Sequence, residues 1–369
     1  MNQEFAALYN TPAYTLPGTT LDQGLSGLNP NNPFSGATIR LWDPYVRPAD
    51  VQQWNVSAEY QLPGSNVLTV GYVGQHGDHL MVAMPYKQNM LVNGAVVTGP
   101  FLAGNPTLRN QIAQISGTAS LANQKYNALQ VTVRKRFSMG LEYQVAFTYS
   151  HGMSDSIGYY GQGGQAGSQS AYWQYLFCQK CEWGPTYFDD KFNFVPSFVY
   201  QLPFGRGRKF GAGWNKGVDA LLGGWQVGGI YTAHSGFPLT IKYNADSSGT
   251  GQRSFRVNVI GTPNDPHQYG PGNLFLDPSA YAAPAAHAYG NIGVGTARGP
   301  GMSRMDLSLA KQFHITERKY FELRGEAFNF TNTPIFLSPS SQTITSPLFG
   351  QIRSTEGERN MQVVGKFYF

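Results

Sequence analysis

The sequence predicts an all-β protein: an antiparallel sheet whose strands cross a membrane and which carries long loops at one end. Three observations lead there. Segments of about ten residues alternate apolar and polar side chains with a period of two, over and over along the chain. Only 13% of the 369 residues are charged, against about 25% in ordinary soluble domains. The alternating segments are joined by very short turns at some places and by tens of residues rich in Gly, Ser, Asn and Pro at others.

The elements follow in chain order. QWNVSAEYQLP sets Trp54, Val56, Ala58, Tyr60 and Leu62 against Gln53, Asn55, Ser57, Glu59 and Gln61, and about ten tilted residues suffice to cross a bilayer. NVLTVGYVGQH is a weaker copy. NALQVTVRKRF opposes Leu129, Val131, Val133 and Phe137 to Gln130, Thr132, Arg134 and Arg136, with Lys135 on the apolar side near the strand end, where its long stem lets the ammonium snorkel. LEYQVAFTYSH has the cleanest alternation: Leu141, Tyr143, Val145, Phe147 and Tyr149 form an apolar, lipid-facing set, and Glu142, Gln144, Ala146, Thr148 and Ser150 face the other way. FNFVPSFVYQLP, GGWQVGGIYTAH, RMDLSLAKQFH and KYFELRGEAFN continue the series, and the last groups Glu322, Arg324 and Glu326 on one polar, luminal face. The chain closes on MQVVGKFYF, with Met361, Val363, Gly365, Phe367 and Phe369 on one side. About nine or ten strands are expected.

The connections have two characters. LPGSN, FSMG and HITERK are short turns, whereas Gly152 to Thr186, Tyr243 to Pro300 and Thr331 to Arg359 are long loops. Outer-membrane barrels show this asymmetry, with short periplasmic turns and long extracellular loops. Aromatic residues at strand ends, such as Trp54 and Tyr60 or Trp225 and Tyr231, suit the two membrane interfaces. The competing reading is a soluble β-sandwich with core aromatics; ionised residues on the polar face of several strands argue for a wet lumen instead.

Composition removes other classes. No apolar run approaches the roughly 18 to 20 residues of a spanning helix. The net charge of +5 comes from scattered Lys and Arg, without the clustered patch that nucleic-acid binding needs. The opening MNQEFAALYNTPAYTLPGTT has neither the basic n-region nor the apolar h-region of an export signal.

No catalytic constellation emerges, and no enzyme, cofactor or metal is expected. His76 and His79, in GQHGDHL, flank Asp78 just past a strand end, where a Gly-rich loop is expected to begin; two histidines without a third ligand make a poor metal cage. GRGRK at Gly205 to Lys209 lacks the order of a phosphate-binding loop and reads as a turn. Cys178 and Cys181, in FCQKCEW, admit a redox pair, half a zinc site or a local disulfide. A long Gly/Ser/Gln-rich loop with no βαβ frame and no second CxxC favours the disulfide, whose role would be to stiffen the loop tip.

The stretches VQQWNVSAEYQLPGSNVLTVGYVGQHGDHL, YNALQVTVRKRFSMGLEYQVAFTYSHGMSDS, FVPSFVYQLPFGRGRKF, LLGGWQVGGIYTAHSGFPLTI, ARGPGMSRMDLSLAKQFHITERKYFELRGEAFNFTNTPIF and MQVVGKFYF resemble the C-terminal half of the barrel of TonB-dependent outer-membrane receptors. The resemblance is to the Oar-like group, which carries a carboxypeptidase-regulatory-like N-terminal domain, and it runs from about Val51 to Phe369. It implies a 22-stranded barrel of which this chain supplies residues 51–369, preceded by an extracellular-loop-like segment at 1–50. It further implies a Gram-negative outer membrane, uptake of a bulky nutrient (siderophore, oligosaccharide or peptide), and contact with outer-membrane lipid. The TonB complex would be reached only through an N-terminal plug and TonB box that these residues do not contain. The terminal strand is similar to the signal read by the barrel-assembly machinery, with Phe369 last and Phe367 third from last; the usual glycine sits one place earlier than Gly365 does here. A structural or adhesion barrel that displays its loops is the alternative function.

Overall fold

In the computed structural model, residues 14–15, 34–156, 172–263, 265–315 and 319–369 are described. Nine long strands dominate: β1 (Asp50–Leu62), β2 (Asn66–Met84), β3 (Gln114–Ser138), β4 (Leu141–Ser154), β5 (Phe192–Gln201), β6 (Trp225–His234), β7 (Met302–His314), β8 (Tyr320–Phe328) and β9 (Asn360–Tyr368). Each pairs antiparallel with its neighbours in sequence, so the sheet is an uninterrupted meander. Its outer strands β1 and β9 each have one long-strand neighbour, so the described sheet is open.

Register converts the alternation into two faces. Cross-strand partners run Ala58, Val70, Val131, Phe147, Phe194 and Ala233 along one row, and Tyr143, Phe198, Gly229, Leu307, Ala327 and Met361 along another. A slip of one residue would mix the faces. This apolar face is uncovered: Val56, Tyr60, Met361 and Val363 are 71%, 68%, 71% and 77% exposed. A sandwich would bury such a face under a second sheet, and an uncovered apolar area of this extent calls for a medium other than water. Lys135 and Lys311 stand on the same face near the short-turn end. Lys135 Nζ donates to the Gly64 carbonyl at 2.6 Å and Lys311 Nζ to the Gly223 carbonyl, so each stem lies along the apolar surface while the charge reaches the turn.

The short-turn end has the chemistry its geometry demands. Met139 and Gly140 join β3 to β4 with φ of 52° and 80°, both positive as a two-residue hairpin of matching twist requires. Residues 63–65 join β1 to β2, and residues 202–224 join β5 to β6 with a helix inside them, α2 (Lys216–Leu222), at an end where only short turns were expected. GRGRK does contain a turn, with the Arg208 N–H on the Gly205 carbonyl at 3.1 Å. Within β5, Pro196 has no N–H to donate. The β5–β6 register carries no partners for Val195 and Pro196, whereas the β4 side continues through both.

At the other end β2 and β3 run on far past the length that crosses a bilayer. The alternation of NVLTVGYVGQH stops at GQHGDHL, yet β2 continues to Met84 through a register shift between Gly77 and Leu80, and His79 takes a φ of 57° there. A bulge of this kind lets a strand bend without ending. Residues 115–120 of β3 are buried on both faces, which erases the period of two and hides the strand from pattern reading. On one side lies β2; on the other, Thr38–Trp42 pairs in parallel with Gln114–Thr118. Most of the expected loop-like segment 1–50 lies outside the described residues.

The buried apolar cores lie in the connections rather than behind the sheet. Leu239, Ile241, Val257, Phe275, Leu276 and Ile292 join Phe349 and Ile352 in one cluster; Val82, Met84, Ala119, Ala122 and Trp173 form a second on the extended ribbon. Residues 85–113, with the short helix α1 (Pro106–Gln111), make a further loop at this end that the sequence reading did not single out. Arginine introduced at Val145 is expected to cost about 2–4 kcal/mol of folding free energy in a bilayer if the position lies near the midplane, and arginine at its polar-face neighbour Gln144 far less. Denaturant titration of both variants folded into vesicles measures this, and equal costs would refute the assignment of faces.

Candidate functional site

The polar face gathers the charged residues of separate strands. On β8, Arg324 donates to Glu322 at 2.6 Å and approaches Glu326 at 3.5 Å. Gln312 on β7 donates to Glu322 at 3.1 Å, Gln362 on β9 donates to Glu326, and Lys366 is the cross-strand partner of Glu322. Glu322, Arg324 and Glu326 therefore form the centre of a ladder across three strands, with opposite charges adjacent as neighbours on one sheet face prefer. Arg134 and Glu142 meet at 3.8 Å on β3 and β4, and Arg304 holds Asp306 at 2.8 Å on β7. A groove of about 540 Å³ includes Arg134, Glu142, Gln144, Ser197, Asp306 and Glu326 in its walls. Leu141, Tyr143, Val145, Phe147 and Tyr149 point away from this side, since they alternate with Glu142, Gln144, Ala146 and Thr148 along β4.

Above the sheet three connections lock together through buried polar groups. Glu182 Oε1 receives Arg256 Nη2 at 3.0 Å and the backbone N–H groups of Gln174 at 3.0 Å and Tyr175 at 3.3 Å. Gln174 donates to the Gly290 carbonyl at 3.0 Å and accepts the Arg256 N–H at 3.0 Å. Gln88 donates to the Gln174 carbonyl at 2.7 Å and accepts the Leu176 N–H at 2.6 Å. Tyr175 stacks on Tyr289 with ring centres 4.5 Å apart. Burial pushes the Glu182 carboxyl above the ordinary glutamate range, opposed by Arg256 and the two backbone donors; burial likewise pushes the Tyr289 hydroxyl up to about 12. Ion pairs this deep hold position only while both partners remain.

Cys178 and Cys181 are joined as a disulfide with Cα atoms 5.4 Å apart. Its neighbour Glu182 and the Cys181 carbonyl, which accepts from Arg256 at 3.2 Å, connect the small ring to the buried network. His76 faces Asp78 at 3.1 Å and the Gln124 carbonyl at 3.1 Å; among the described residues no cluster of three or more His, Cys, Asp or Glu has a metal-holding arrangement. Phe367 sits opposite Phe321, and Phe369, 93% exposed, lies just beyond β9. The network of Gln88, Gln174, Glu182 and Arg256 escaped the sequence reading because its members are scattered along the chain. The sequence around them offers no periodic signal: Glu182 sits in FCQKCEW and Arg256 in RSFRVNV, with nothing in either stretch that points to the other.

The model of the outer membrane beta barrel domain family matches residues 2–362. The chain belongs to that family, and its place is the outer membrane of a Gram-negative bacterium. A comparison with curated proteins returned no match. Among solved structures the chain is similar to the outer membrane transporter YddB from Escherichia coli, with a TM-score of 0.45, 8% identity and coverage of 91% of this chain and 34% of that one. It is also similar to FpvA of P. aeruginosa bound to a pyoverdine, with a TM-score of 0.42, 11% identity and coverage of 88% and 28%. For the ferric citrate transporter FecA the values are 0.39, 11%, 86% and 31%. The chain thus spans about a third of the length of these proteins.

Replacing Arg256 with Ala strands a buried carboxylate and is expected to destabilise the loop assembly by about 3–5 kcal/mol, while the double change Glu182→Gln with Arg256→Met costs less. Hydrogen exchange checks this: amides of residues 172–183 and 250–257 lose protection in R256A while those of β4 to β8 keep theirs.

Proposed function

We propose that the chain is part of a TonB-dependent outer-membrane receptor that takes up a bulky nutrient. One observation carries the reading: a single sheet with an uncovered apolar face and, opposite it, a face of interleaved charges. A bilayer satisfies the first and a water-filled passage the second. The Oar-like resemblance of residues 51–369 supports the receptor class, and the open edges at β1 and β9 fit a barrel of 22 strands, since exposed ladder groups are not tolerated in lipid. In this reading Leu141, Tyr143, Val145, Phe147 and Tyr149 meet lipid, Glu322, Arg324 and Glu326 line the lumen, and the locked loops above them meet the nutrient on the cell surface.

The alternative, a barrel that only displays its loops, draws support from the packed loop cores. Uptake separates the two. Cells deleted for this gene are expected to lose accumulation of at least one member of a panel of labelled siderophores, oligosaccharides and peptides, and deletion of the TonB system should give the same loss. Unchanged accumulation across the panel together with lost surface adhesion would favour display. Assembly offers a second test. Phe369→Gln is expected to lower the amount inserted in the outer membrane far more than packing accounts for, because a ring this exposed realises only a small part of the roughly 3 kcal/mol available to a buried Phe. Insertion at the wild-type level, read as the heat-modifiable band in a gel, would remove the C-terminal strand as an assembly signal.

A further inference from the structure

The connection 202–224 is unlike the other turns at its end of the sheet. It holds four cations, Arg206, Arg208, Lys209 and Lys216, and a single carboxylate, Asp219. All four cations are exposed. Asp219 accepts the Arg206 backbone N–H at 2.7 Å, and with four cations against this one carboxylate the segment presents net positive charge to its surroundings. Arg208 reaches Gln201 at 3.1 Å and Lys209 lies over the Phe210 ring at 5.4 Å; neither contact neutralises a cation. A groove of about 550 Å³ has Arg206, Arg208, Lys216 and Trp225 in its walls.

The same segment carries apolar side chains that the fold leaves uncovered. Helix α2 is capped by Asn215, whose side chain accepts the Val218 N–H at 2.9 Å, and it ends on Leu221 and Leu222, 72% and 57% exposed. Phe204 and Phe210 are exposed as well. Two side chains fix this helix end to the apolar side of the sheet. Trp225 and Lys311 are cross-strand partners on that side; Trp225 Nε1 donates to the Leu221 carbonyl at 2.9 Å, and Lys311 donates to the Gly223 carbonyl while lying over the Trp225 ring at 5.2 Å. The leucines therefore continue the uncovered apolar surface at its rim, with the cations beside them.

We infer that residues 202–224 form a membrane-surface anchor in which Leu221 and Leu222 enter the acyl region and Arg206, Arg208, Lys209 and Lys216 bind the phosphate groups of anionic phospholipids in the leaflet at the short-turn end. The inference rests on the proposed reading that the apolar face meets lipid, and it adds a selectivity for headgroup charge that the reading does not require. An amphipathic segment with apolar residues at its tip and cations around them has the pattern of interfacial binding, and clustered Lys and Arg near a surface favour anionic over zwitterionic lipid.

The test places a bimane fluorophore on Leu222→Cys, which labels alone because Cys178 and Cys181 are joined. The protein is folded into phosphatidylcholine vesicles containing about one-fifth phosphatidylglycerol, with bromine on the chains of one lipid or the other at equal mole fraction. Brominated lipid should quench the fluorophore, and brominated phosphatidylglycerol about threefold more strongly than its abundance predicts. Changing Arg206, Arg208, Lys209 and Lys216 to Gln should abolish that preference while folding and quenching by phosphatidylcholine remain. Folded protein with no quenching by either lipid, or with equal quenching per lipid in the unaltered chain, overturns the inference and leaves the barrel reading intact. Failure to obtain a heat-modifiable folded form in any vesicle overturns the barrel reading, and the anchor with it.

Discussion

The structure depends on a backbone hydrogen-bond ladder that runs unbroken from each long strand to the next. A strand immersed in hydrocarbon must find partners for its N–H and C=O groups in its neighbours, and within the nine-strand meander each strand pairs with the next along the chain, leaving only the outer edges of β1 and β9 without a long-strand neighbour. Once that ladder is fixed, side chains have only two directions to go. Alternation then sorts apolar and polar groups onto separate faces, and the apolar groups that a soluble domain would gather inward here stand on an uncovered face. The buried apolar clusters lie in the long connections and on the part of the β2–β3 ribbon that reaches them.

How much of this could be read from sequence follows from what each part packs against. β4 was legible because both its faces are plain: Leu141 to Tyr149 on one, Glu142 to Ser150 on the other. The upper part of β3 was not. Residues 115–120 are covered on both sides, so Ile115, Ser116, Gly117 and Thr118 alternate nothing. The charge ladder of Glu322, Arg324 and Glu326 was legible as a face, while its partners Gln312 and Gln362 needed the register, which turn chemistry sets and single strands do not show. Glu182 and Arg256 were invisible as a pair, because contact across seventy-odd positions leaves no periodic trace. The disulfide setting of Cys178 and Cys181 was readable from spacing and loop composition, but its role beside Glu182 was not.

Polar satisfaction also explains why the cap holds one arrangement. Gln88 and Gln174 each use both ends of the carboxamide, which ties three connections by directional bonds rather than by apolar contact alone. Such a network is intolerant of partial loss. It sets the loops as a single surface above the charged face, and any ligand that enters must either fit that surface or break it.

The long β2–β3 ribbon has a mechanical meaning. A pull on the loop at its far end draws β2 and β3 the same way along their axes, so the load passes in shear to the hydrogen bonds that β2 makes with β1 and β3 makes with β4. Bonds in that geometry share the load and must fail together, unlike a ribbon peeled from one end. The loop assembly is therefore tethered to the sheet along the strand direction, and it can bear a pull without the strands coming apart one bond at a time.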